Sequence, residues 1–219
     1  MNLEREILNS SHLDSQDSKV YFVIKRVIDI VLAAIGLLVF SPIMLIVVIA
    51  IKLEDFKGPV LFSQERVGKL GEIFKIYKFR SMYVDAEQRL QELQHLNEQT
   101  GPVFKIKDDP RITKVGKFIR KTSLDELPQL VNVLRGEMSI VGPRPALPRE
   151  VKQYNAYQKQ RLLVKPGITC IWQVSGRNNI GFDEWVELDL EYIKNQSLGL
   201  DIKLILQTIP ALLGDHNAS

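Results

Sequence analysis

By residue type, Asp125-Glu126 is the pair in this chain best suited to chemistry. Ser123-Leu124-Asp125-Glu126 fits the capping-box spacing, a serine at the helix start and a glutamate three residues on. On the plainer reading, both acids only favour a helix N-terminus through its macrodipole. On the chemical reading, adjacent carboxylates at a helix start suit phosphoryl transfer. One can attack phosphorus or hold Mg²⁺, while free N–H groups attract phosphate oxygens. Pro128 bears on where the helix begins. With Ser123 as the cap, its missing N–H falls where the helical ladder is already running; a start near Asp125 puts it among the naturally unbonded donors. On residue types alone the plainer reading is the stronger.

Gly142-Pro143-Arg144-Pro145 offers a second chemical feature. Two prolines fix the backbone around one arginine, which lowers the entropy lost in presenting a guanidinium fork to phosphate. A rigid turn with a solvated arginine is the alternative. Lys78-Phe79-Arg80, on an expected strand, puts both cations on one face because side chains alternate. That suits a diphosphate, although exposed charges on a sheet edge are commoner. Gly176-Arg177-Asn178 reads equally well as a ligand loop or an ordinary turn. The histidines His12, His95 and His216 stand in polar surroundings and form no ligand cluster, and the single cysteine, Cys170, excludes an intrachain disulfide or a cysteine-rich metal site. No Walker loop, dinucleotide fingerprint or serine-hydrolase elbow is present.

These residues depend on an unusual element upstream. Ile30 to Ile51 carries no charge, and Ser41 is its only polar side chain. At ~1.5 Å per residue a straight helix of that length matches a hydrocarbon core of ~30 Å. Ser41-Pro42 lies at its midpoint, and Lys25-Arg26 and Lys52 flank its ends. The polar, acidic N-terminus is no signal peptide, so the apolar run is expected to persist as an anchor. Roughly 165 residues follow it, enough for one hydrophobic core. The net charge of +3 says little, but a basic stretch from Lys57 through Arg80, Lys105, Lys107 and Arg120 suits anionic head groups or a phosphorylated substrate.

In order, residues 1–20 read as a flexible leader. Val60 to Met82 suggests a hairpin with Gly68 and Gly71 at its turn. Asp85 to Gln99 and Ile112 to Arg120 read as helices, the second amphipathic. Ser123 to Leu134 is helical by leucine spacing and stops at Arg135-Gly136. Met138 to Val141 is a short apolar run, Arg149 to Leu163 a polar-faced helix, and Ile168 to Val174 a strand. Two helices close the chain, Asp183 to Asn195 and Leu198 to Leu213. The apolar side of the last fits a membrane surface, the core or a partner.

Each motif is weak alone, but their order is specific. Lys25-Arg26-Val27-Ile28-Asp29, the apolar run with Ser41-Pro42, Gln64-Glu65-Arg66-Val67-Gly68, Tyr77-Lys78-Phe79-Arg80-Ser81-Met82, Ser123-Leu124-Asp125-Glu126-Leu127-Pro128-Gln129-Leu130, Gly142-Pro143-Arg144-Pro145, Lys165-Pro166-Gly167 and Gly176-Arg177-Asn178 follow one another. Together they resemble the bacterial sugar transferase family, the monotopic phosphoglycosyl transferases, from about Tyr21 nearly to the end. The chain looks like that family's minimal catalytic form.

The resemblance implies transfer of a sugar 1-phosphate from a UDP-sugar to undecaprenyl phosphate, with release of UMP, as the first membrane step of capsule, exopolysaccharide or glycoconjugate synthesis. It makes Asp125 the nucleophile and Glu126 its partner acid, both near Mg²⁺. Lys78, Arg80, Arg120, Arg144 and Arg177 become phosphate and nucleotide contacts, and Asp189 an acid near the site. Glucose or galactose is the expected sugar. The expected partners are the UDP-sugar, undecaprenyl phosphate and membrane lipid, with no nucleic acid; a homo-oligomer is left open.

The expected fold class is α+β, mainly helical. A re-entrant helix–break–helix (residues 21–57, broken at Ser41-Pro42) precedes a small cytoplasmic catalytic domain (58–219) with a short β-hairpin and interfacial amphipathic helices, on the inner face of the bacterial plasma membrane. Each half of the apolar run is about eleven residues, too short to span alone. A catalytically silent, membrane-anchored interaction module of the same fold is the alternative.

Overall fold

The longest element is a helix that keeps most of its apolar surface out of the protein's interior. In the computed structural model, which describes residues 16–104, 106, 108–174 and 180–214, helix α1 spans Gln16–Glu54. Only 11% of its most apolar stretch is buried, whereas the core helix of a soluble protein would be mostly enclosed. Leu38, Val39, Leu45 and Ile46 at its middle are all more than half exposed. Gln16–Val20, the end of the expected leader, belongs to this helix, and residues 1–15 of that leader lie outside the described residues.

α1 runs through Ser41-Pro42 as one helix; the expected break is not an interruption of helical structure. The physical reason is local. Pro42 has no N–H for the carbonyl of Leu38, one turn back, and the Ser41 hydroxyl donates to that same carbonyl at 2.7 Å. The proline's missing bond is thereby replaced, and the backbone polar group is satisfied in apolar surroundings.

The two flanks of α1 dock on the remainder of the chain. Before Ser41, Ala33 and Leu37 pack into a cluster with Phe74, Ile76, Leu130, Val133 and Met138. After Pro42, Val47 and Ile51 pack with Phe79 and Ile119. Leu127 borders both clusters. Polar contacts fix the ends. Arg26 donates to the carbonyls of Val133 (2.6 Å) and Leu134 (2.8 Å), and buried Asp29 accepts from the Ser139 hydroxyl and the Ile140 N–H. At the other end Glu54 accepts from the N–H groups of Lys114 and Val115.

The expected hairpin is present. Strands β1 (Leu61–Val67) and β2 (Ile73–Phe79) pair antiparallel from Leu61↔Phe79 to Val67↔Ile73, and Gly71 takes the turn at a φ of 88°. Helix α2 (Lys114–Lys121) is capped by the Thr113 hydroxyl, which accepts from Gly116 N–H at 2.9 Å. Helix α3 (Gln129–Arg135) ends at Gly136, whose φ of 82° supplies the left-handed cap. Fully buried Asn132 on α3 binds the open edge of β2. Its amide donates to the Lys75 carbonyl and its side-chain oxygen accepts from Tyr77 N–H, as a neighbouring strand would.

Several expected elements change. Residues 85–99 form two 3₁₀ turns, Gln88–Leu90 and Gln94–Leu96, in place of one helix. Leu90, Leu93 and Leu96 recur every three residues, the period of that tighter helix, and among them Leu90 alone is fully buried. Residues 149–163 break into Pro148–Val151, Ala156–Lys159 and Gln160–Leu163, because Asn155 and Gln158 form a reciprocal capping box that restarts the chain. Ser123 makes no cap bond and sits left-handed at a φ of 53°. Leu124–Glu126 is a 3₁₀ turn, and Pro128 separates it from α3.

A second sheet is a parallel pair, β3 (Ser139–Val141) and β4 (Gly167–Thr169), and the expected strand at 168–174 turns into a one-turn helix at Ile171–Val174. Beside it Gly142 donates to the Thr169 carbonyl and Gly167 to the Pro143 carbonyl, both at 2.9 Å. A Cβ on Gly167 would overlap the Gly142 backbone, so two glycines let the turns before and after Arg144 touch. Helices α4 (Phe182–Lys194) and α5 (Leu198–Gly214) close the fold. On α5, Leu204 enters the core while Ile202 and Leu206 stay exposed.

Candidate active site

One cleft, with about 1280 Å³ of empty space including its open mouth, gathers most of the expected chemical residues. Asp125, Lys78, Arg80, Arg120 and Arg144 all line it. Each comes from a different local cause. β2 ends at Phe79, which leaves Lys78 and Arg80 two apart on one side of the chain. Arg120 comes from the last turn of α2. The contacting glycines and two prolines fix the turn that carries Arg144. Asp125 comes from the 3₁₀ turn between α2 and α3.

Asp125 is buried, 7% exposed, and burial pushes its carboxyl up to about 6. Lys78 and Arg120 oppose that rise, and the like charge of Glu126 adds to it. Glu126 does not line the main cleft. It accepts from Lys78 Nζ at 2.5 Å and faces an adjoining pocket of about 300 Å³ of empty space. The dyad is therefore split between two cavities, and Lys78, Arg66 and Arg144 line both. A buried carboxylate with a raised pKa, walled by cations in a cleft, has the character of a reactive group.

The other expected residues stand apart. Arg80 is committed to Asp55, just beyond the end of α1, at 2.5 Å, so it reaches the cleft already paired. Asp189 is not in the cleft. It is fully enclosed against Arg161 (2.6 and 2.7 Å), with Tyr154 on the same guanidinium, and burial pushes its carboxyl up. Arg177 lies outside the described residues. Among those residues no cluster of three metal-ligating side chains occurs.

Arg66, Arg111, Arg149 and Glu150 also line the cleft and were not expected there. For Arg66 the signal was available. The register pairs Phe62 with Lys78 and Arg66 with Phe74, so Gln64, Arg66 and Lys78 share one hairpin face. Arg111 is tied to Asp109 and Arg149 lies beyond a proline turn, and periodicity marks neither.

A cationic cleft around one buried carboxylate, carried beside a long and largely exposed apolar helix, has the make-up of an anion-binding site. A profile of the bacterial sugar transferase family matches residues 20–215, and the chain belongs to that family. It is 54% identical over 194 residues to the galactosyl transferase CpsE of Streptococcus agalactiae, covering 88% of this chain and 43% of that one. It is 41% identical over 192 residues to the exopolysaccharide production protein ExoY of Rhizobium meliloti, covering 86% and 84%. To the UDP-glucose:undecaprenyl-phosphate glucose-1-phosphate transferase of Escherichia coli it is 42% identical over 204 residues, covering 90% and 41%. The chain thus spans less than half the length of two of these three relatives.

The electrostatics give a stability prediction. A carboxyl whose folded pKa lies above its unfolded value costs stability once pH rises past both, because the folded state must then bury the charge. Asp125→Asn removes that cost. The melting temperature of the variant should exceed wild type by ~3 °C or more at pH 7.5, with the gap closing toward pH 4. Equal melting temperatures at both pH values would contradict a buried, costly carboxylate.

Proposed function

We propose that this chain transfers a hexose 1-phosphate from a UDP-sugar to undecaprenyl phosphate through a covalent intermediate on Asp125. The observation that carries this is the buried Asp125 carboxylate in a cleft lined by Lys78, Arg120 and Arg144. In the first half-reaction an Asp125 oxygen bonds to the phosphorus that bears the sugar, the bond to the UMP oxygen breaks, and UMP leaves. In the second, a phosphate oxygen of the lipid attacks the same phosphorus. The lipid diphosphate sugar forms and the carboxylate is restored. Splitting the transfer lets a soluble donor and a lipid acceptor use one site in turn.

The residues have corresponding roles. Lys78, Arg120 and Arg144 neutralise charge spreading over the transferred phosphoryl group, which is the main catalytic demand of such reactions. Lys78 also holds Glu126 beside the nucleophile. Asp125 and Glu126 are the carboxylates that would hold Mg²⁺. Mg²⁺ commonly takes one or two carboxylates and completes its shell with water and substrate phosphates, so Asp125 in the cleft would suit that ion, with Glu126 supporting it from the adjoining pocket. Mg²⁺ when bound would supply further charge neutralisation at the diphosphate. Glucose or galactose is the proposed sugar, in keeping with the names of the S. agalactiae and E. coli relatives.

α1 is proposed to dip into one leaflet and return, which keeps the catalytic part on the cytoplasmic face of the bacterial plasma membrane. Arg26 and Lys52 would stand ~39 Å apart on a straight helix, more than a hydrocarbon core of ~30 Å. Yet Arg26 binds α3 carbonyls, and Lys52 binds the carbonyls of Phe56 and Gly58 as the chain enters the same folded body. A small body lies on one side of a bilayer, so both flanks belong there. In that arrangement Pro42 is where a bend in the helix would fall.

Two experiments test these readings. In detergent with Mg²⁺, UMP release from UDP-glucose or UDP-galactose should require undecaprenyl phosphate for multiple turnover, and Asp125→Asn should lower it by at least ~10³-fold. Release at the same rate without lipid would make the protein a hydrolase, and near-normal turnover by the variant would remove Asp125 as nucleophile. For topology, Asn2→Cys and Ser219→Cys should both react with a membrane-impermeant maleimide only after the cytoplasmic side is opened, since native Cys170 is buried. Labelling from opposite sides would restore a spanning helix.

A further inference from the structure

Arg66 is an unbalanced charge. It is 8% exposed, and its two terminal nitrogens are held by neutral acceptors, the Pro145 carbonyl (3.0 Å) and the Gln64 side chain (2.9 Å). Among the described residues its Nε–H has no acceptor. Among the described residues no carboxylate forms an ion pair with it, whereas buried Arg111 and Arg161 each have one. Burial and the neighbouring charge of Arg144 both work against its protonated form and pull its pKa down to about 10. Glu150 and Glu126 offset this only at a distance. An arginine stays charged at any physiological pH, so the cost is carried permanently by the empty protein.

Position says what would relieve it. Arg66, Lys78 and Arg144 form the wall common to the Asp125 cleft and the Glu126 pocket. An oxyanion at that wall would meet two guanidinium groups and an ammonium within reach of both acids. The fork is already oriented by Pro145 and Gln64, so little entropy is lost when an anion arrives. Pro145 directly follows Arg144, so one backbone segment ties the two arginines together. We propose that Arg66 is a substrate-binding residue that, with Arg144, grips a phosphate group at the junction of the two cavities.

This rests on the phosphosugar-transfer reading, and the phosphate has two sources, the nucleotide diphosphate and the lipid phosphate. The test uses the full chain in detergent, as wild type, Arg66→Met, Arg66→Lys and the surface control Arg89→Gln, with UDP binding followed by calorimetry. Michaelis constants for the UDP-sugar and for undecaprenyl phosphate are measured alongside. Arg66→Met should weaken UDP binding by about tenfold or more and raise the donor KM in parallel, as expected for loss of a charged hydrogen-bonding partner. Arg66→Lys should recover most of that affinity, and Arg89→Gln should match wild type.

If the acceptor KM rises in place of the donor KM, the gripped phosphate is the lipid's, and the role stands. Unchanged UDP binding and unchanged KM values in Arg66→Met overturn it. So does an Arg66→Lys variant as weak as Arg66→Met, because the bond to Pro145 would then matter and the charge would not. Should Arg66→Met fail to fold, Arg66→Gln takes its place: a loss of UDP affinity of about tenfold supports the role, and affinity within about threefold of wild type overturns it. A wild type that neither binds UDP nor releases UMP overturns the underlying reading, a different result from a competent wild type with an indifferent Arg66.

Discussion

An apolar helix with two polar ends, both fastened to one small folded body, is the constraint on which this structure depends. Arg26 and Asp29 fasten one end through α3 and the start of β3; Glu54 and Asp55 fasten the other through α2 and Arg80. The same fastening residues reach the elements that line the cleft. Glu54 accepts from the first N–H groups of the helix whose last turn carries Arg120, and Asp55 holds Arg80 at the cleft. Arg26 ties down the helix that follows Asp125 and Glu126. In the proposed membrane arrangement, moving α1 relative to the bilayer moves the cleft with it, so the depth of the helix fixes the height of the reacting carboxylate.

The cleft is built against its own stability. Asp125 is buried and its carboxyl raised, Arg66 is buried with no ion-pair partner among the described residues, and Arg144 stands beside Arg66. Each arrangement costs free energy in the protein alone, and each suits the negatively charged substrate proposed for the cleft. Such local departures from a balanced interior are expected where a fold does chemistry. Other buried charges are paired, Arg161 with Asp189 and Lys25 with Asp201.

Much of this was legible from residue order. The apolar run, the hairpin with its glycine turn, the helix stop at Arg135-Gly136 and the convergence of Lys78, Arg80, Arg120 and Arg144 on Asp125 correspond to features of the sequence. What escaped were interactions that depend on distant residues meeting. Asn132 looks like an ordinary helix residue until it lies along β2, and Asp55 looks like the polar end of an anchor until Arg80 reaches it. Asp189 pairs just as distantly. The resemblance drew it toward the site, whereas its partner is Arg161, 28 residues upstream. Residues 85–99 failed for another reason: charged residues with leucines every three positions satisfy a helical pattern and a 3₁₀ pattern together.

The central claim is that Asp125 carries the sugar phosphate during transfer. Its most direct measurement is intact-protein and peptide mass spectrometry after brief mixing with a UDP-hexose, Mg²⁺ and no lipid acceptor. The account predicts one hexose-phosphate adduct per chain, mapped to the peptide containing Asp125 and discharged on addition of undecaprenyl phosphate. Acceptor-dependent UMP release with no adduct at any time, or an adduct on another residue, would contradict it.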